Sequence, residues 1–72
     1  MDDRTKQAIK DMRYDIAKLE LKLNNTARNA HFSTPDGMIR NKREVIQEQL
    51  LELRQRLKAV LEIERIYDEM QG

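Results

Sequence analysis

Apolar residues recur along this chain at helical spacing, in two separate runs. In the second half, Ile46, Leu50, Leu53, Leu57 and Val60 alternate spacings of four and three, which is the seam of a heptad pattern. In the first half, Ile9, Met12, Ile16, Leu19 and Leu23 do the same. The second run follows Thr34-Pro35-Asp36. Thr34 suits a helix cap, Pro35 the first helical position, and Asp36 the positive end of the dipole. The spacing therefore predicts a helix over about 35–70. Asp2 and Asp3 favour the start of a first helix, over about 3–30. Asn24-Asn25-Thr26 are poor helix formers, so its end is open between Asn24 and Ala30. A loop at about 31–34 joins the two, with Phe32 placed to fold back on Met38 or Ile39.

Two seamed helices joined by a short loop predict an all-α antiparallel helical hairpin of two long helices, one domain over 1–72. Aligning the seams sets Leu23 beside Ile46, Ile16 beside Leu50 and Leu53, and Ile9 beside Leu57 and Val60. The second helix then overhangs by about two turns, roughly 10 Å. Its end is not polar. Ala59, Ile63, Ile66 and Met70 form a stripe displaced from the seam, with Tyr67 beside it. An apolar arc wider than one seam implies more than one neighbour. A homodimer that closes a four-helix bundle is the first expectation, and a larger protein partner the second.

Composition strengthens that expectation. A chain of 72 residues buries only about 60% of its unfolded surface, so a core made by one copy is marginal. With no cysteine and one histidine, disulfides and zinc sites are excluded as reinforcement, which leaves association. Charged residues are 38% and aromatics 4% of the chain, the composition of long helices and coiled coils. A formal net charge of +1 gives no bulk attraction to nucleic acid or anionic membrane. No apolar run approaches the roughly 20 residues that span a bilayer, and nothing reads as a signal peptide. A cytoplasmic location, without membrane contact, is the expectation.

Catalytic chemistry is sparse. Ser33 and His31 lie together in the loop, but a triad needs a third orienting group. Gly37 and Gly72 are the only glycines, so there is no phosphate-cradling loop. Glu44, Glu48 and Glu52 form an acidic line without the Glu-x-x-His pairs of iron-binding bundles; Glu52 and Arg56 instead read as a surface ion pair. Arg13 to Leu23 faintly resembles the opening helix of the all-helical chorismate mutases. Pro35 interrupts the run that those enzymes need and a third helix is missing, so nothing is carried over. No enzyme, cofactor or metal is expected.

The charges are unevenly placed. Arg28, His31, Arg40, Lys42 and Arg43 gather near the hairpin tip, while Asp2, Asp3, Glu62, Glu64, Asp68 and Glu69 gather at the open end. The resulting expectation is a small protein-binding module, an adaptor, inhibitor or regulator, with Ile63, Ile66, Tyr67 and Met70 as anchors. A nucleic-acid-binding hairpin dimer that uses the basic tip is the alternative, and a structural coiled-coil component of an assembly is a third.

Overall fold

A computed structural model describes residues 2–71 as α1 (Asp3–Asn24), β1 (His31–Ser33), β2 (Ile39–Asn41) and α2 (Lys42–Gln71). The chain is a mostly helical, elongated body of 53 × 23 × 17 Å, two helices joined by a small two-stranded sheet. Glu20 of α1 meets Arg54 of α2 at 2.5 Å. At the far end, Asp2 and Thr5 share a depression with Ile63, Glu64, Tyr67 and Gln71. The helices therefore run antiparallel, and α1 reaches the level of the last turns of α2. The expected overhang of two turns is correspondingly shortened.

Asp2 caps α1 by accepting the Thr5 amide at 2.7 Å. The helix stops at Asn24, which decides between the two ends left open above. The Thr26 hydroxyl donates to the Lys22 carbonyl at 2.6 Å, drawing the backbone out of helical register. Residues 25–30 then form turns, with Ala30 N–H bonded to Ala27 O at 3.1 Å.

The connection corrects two expectations. Residues 31–41 form a β-hairpin, with Phe32 opposite Arg40 and Ser33 opposite Ile39, so the all-α description yields to two helices plus a small sheet. Thr34-Pro35-Asp36-Gly37 is the hairpin's turn and not the start of a helix. Gly37 N–H donates to Thr34 O at 2.9 Å and Thr34 N–H to Met38 O at 2.8 Å. Gly37 has φ +85°, the left-handed conformation that follows a type I turn in a three-residue hairpin loop and that suits glycine. Thr34, Pro35 and Asp36 favour this turn for the same reasons that they favour a helix start, and Gly37 decides between them.

The second helix begins at Lys42, seven residues later than expected. Its cap is Asn41, whose side-chain oxygen accepts the Arg43 amide at 2.8 Å and the Glu44 amide at 3.3 Å. Phe32 does not fold onto Met38 or Ile39, which are 61% and 73% exposed. It sits on the same face of the hairpin as Arg40 and lines a groove with Lys22, Thr26, Val45 and Ile46.

The two seams meet as the spacing requires. Ile9, Ile46 and Leu50 are buried. Met12, Ile16, Leu19, Leu23, Leu53, Leu57 and Val60 are half-buried, and Thr5 and Glu64 continue the line to the open end. The intrachain core is one narrow stripe.

Candidate partner-binding site

The residues singled out at the end of the second helix share one feature: each is exposed in the structure. Ile63 is 65% exposed, Ile66 45%, Tyr67 53% and Met70 82%. The cause is angular. At 3.6 residues per turn, the stripe of Ala59, Ile63, Ile66 and Met70 is centred about 130° around α2 from the seam that faces α1. Glu64, not Ile63, continues the seam. Tyr67 and Ile63 line the depression shared with Asp2 and Thr5 of the α1 start. The stripe is local, because one turn earlier the same side of α2 carries Glu52, Gln55 and Arg56.

Charges flank the stripe without crossing it. Arg65 bridges Glu62 at 2.5 Å and Glu69 at 2.7 Å, and its hydrogen bond and positive charge hold the Glu62 carboxyl below the usual range. Gln71 donates from its side-chain amide to the Tyr67 hydroxyl at 2.8 Å. The last turn of α2 contains no basic residue, so nothing on its own helix offsets the negative end of the dipole there.

The basic residues of the tip do not act alike. Arg43 is half-buried and directs one guanidinium nitrogen at two carbonyls of the chain leaving α1, Leu23 O at 2.7 Å and Thr26 O at 2.8 Å. It closes the C-terminus of α1 from the first turn of α2. Arg40 donates to both carboxylate oxygens of Glu48 at 3.1 Å. His31 uses Nδ1 on the Asn29 carbonyl, and the Arg28 carbonyl accepts from the Asn41 side-chain amide at 2.9 Å. Of the five, Arg28 and Lys42 have side chains in no hydrogen bond or ion pair among the described residues. Lys42 lines the Phe32 groove together with Lys22 and Gln49. Lys22 comes beside Lys42 only through the packing of the two helices, which no local sequence signal encodes.

Two further exposed residues escaped the sequence reading. Tyr14 and Leu21 lie on the outer side of α1, 65% and 62% exposed, with the Lys18 ammonium 5.5 Å from the Tyr14 ring centre. Their spacing of seven was a visible signal, hidden among the charges of that face. Among the described residues no group of acidic, histidine or cysteine side chains is placed to hold a metal ion, and no helix is long and apolar enough to cross a membrane. Comparison of the chain with protein-family models, with curated proteins and with solved structures gives no match.

Proposed function

We propose that this chain is a small non-catalytic protein-binding module, a helical hairpin whose apolar α2 face is completed by helices from outside the chain. One observation carries the reading. Among the described residues three are buried, Ile9, Ile46 and Leu50, while Ile63, Ile66, Tyr67 and Met70 stand exposed within the last turns of α2. Exposed apolar surface concentrated in one place marks an interaction site, and a helix in this position recognises another helix through residues spaced three and four apart. A four-helix bundle is the architecture that such a hairpin completes.

The test is capture from a native cell extract, with and without nuclease, followed by identification of protein and nucleic acid. Ile66→Asp or Tyr67→Ala abolishes capture and leaves helix content near wild type, because neither residue belongs to the seam. Loss of capture only together with loss of helix content would sink the assignment. The nucleic-acid alternative rests on a narrower base, with Arg40 and Arg43 engaged within the chain. The groove bearing Lys22, Lys42 and Phe32 favours it, as cations beside an aromatic ring suit a single strand. Recovery of nucleic acid alone would establish that alternative.

A further inference from the structure

We propose that the occupant of the α2 stripe is a second copy of this chain, with the last three turns of two α2 helices crossing antiparallel about a twofold axis between Ile63 and Ile66. This rests on the reading of that face as a binding surface and names what binds there. Surface area is the first argument. The chain exposes 6044 Å², whereas a compact monomer of 8.6 kDa exposes about 4,700 Å². The surplus, about 1,300 Å², exceeds the roughly 800 Å² that each partner contributes to a standard interface.

Self-complementarity is the second argument. A twofold interface must match itself, residue for residue. About an axis between Ile63 and Ile66, the small Ala59 falls opposite the large Met70, and Ile63 falls opposite Ile66. Every position of the stripe then meets an apolar partner, small against large at the edges. Other axes do worse: sliding the crossing toward the middle of α2 sets Ile63 against Glu52, and Ile66 against Gln49.

Charge supplies the third argument. The α2 C-terminus has no basic residue in its last turn. In the proposed crossing, Arg56 of each copy, one turn before Ala59, lies just beyond Gln71 of the other. It then faces the negative end of that helix dipole. Arg56 is on the surface, paired at 3.3 Å with Glu52 of its own helix, so reaching the second copy requires no burial of an ion. At that end the two α1 starts flank the crossed α2 ends, giving four helices there while the β-hairpin tips point apart.

The test uses the intact protein. Sedimentation equilibrium at about 100 µM, where a micromolar dimer is saturated, gives twice the mass of 8.6 kDa. Ile63→Asp weakens association at least about a hundredfold, since it places two carboxylates in the interface, and leaves circular dichroism unchanged. Arg56→Glu weakens it about tenfold. The chain has no cysteine, so Gln55→Cys takes a single spin label. The two labels of the proposed dimer stand about 30 Å apart, against about 10 Å in a parallel or mid-helix crossing. A monomer at that concentration, a dimer indifferent to Ile63→Asp, or the short label distance would each overturn the proposal. If the protein is monomeric yet Ile66→Asp still abolishes capture of a different protein, this inference fails and the reading of the face as a binding site stands.

Discussion

The two ends of the hairpin are built from different interactions. At the tip, polar groups hold the chain: Asn41 caps α2 and ties down Arg28 O, Arg43 closes α1, and Thr34 organises the turn. At the open end, ion pairs decorate one side of α2 while its apolar stripe faces solvent. Hydrogen bonds to backbone carbonyls are short-range and directional, so they complete the tip within one chain. Apolar area has no such geometry and is satisfied only by a cover. The tip is completed within one chain, whereas the apolar stripe at the open end remains exposed.

The largest expected effect on that comparison comes from Arg43→Ala. Removing a charged donor from two carbonyls that it closes costs about 2 kcal/mol, read as a lower urea midpoint. Hydrogen exchange localises the loss to residues 21–26. A cost below about 0.5 kcal/mol, the range of ordinary surface substitutions, would show that packing alone holds the tip. Asn41→Ala is next, at about 1 kcal/mol for a lost helix cap; an unchanged melting curve would mean that the cap does not set where α2 begins.

Acid is the smallest lever and the sharpest discriminator. The Thr34 hydroxyl lowers the Asp36 pKa at the tip, and Arg65 lowers that of Glu62 at the open end. Both folded-state values lie below the unfolded ones. Their contributions are thus fully present above the unfolded carboxylate range, about pH 4, and fade as pH falls through the lowered values. Salt separates the two. Added salt weakens the acid sensitivity due to Glu62, whose partner is an exposed cation, and leaves that due to Asp36, whose partner is a neutral hydroxyl. Acid titrations of Asp36→Asn and Glu62→Gln at low and high salt test this; equal salt responses would contradict it.

The seams were legible because heptad spacing survives folding unchanged. Each of the ten seam residues is buried or half-buried where the pattern puts it. The tip was misread because Thr34, Pro35 and Asp36 serve turns and helix starts equally well, and three-residue strands are too short to show alternation. Two local signals favoured the correct structure: Gly37 at the fourth turn position, and Asn41 followed by Glu44 three residues on, a helix-start pattern. The stripe was legible as an offset from the seam. The role of Arg43 was not, since the Leu23 carbonyl that it meets lies 20 residues away, and no local pattern encodes that meeting.

The β-hairpin also sets the order in which the molecule assembles. From the tip outward, the links between the halves span steadily more chain: 13 residues from Arg28 to Asn41, 20 from Leu23 to Arg43, 34 from Glu20 to Arg54. The entropy of closing a loop rises with its length, and each closed link shortens the next. A three-residue turn with a pre-set proline forms within about 1–10 µs, before either helix has a neighbour. The chain closes like a zip from Pro35, and the stripe at Ile63–Met70 is the last stretch of α2 to be brought alongside α1.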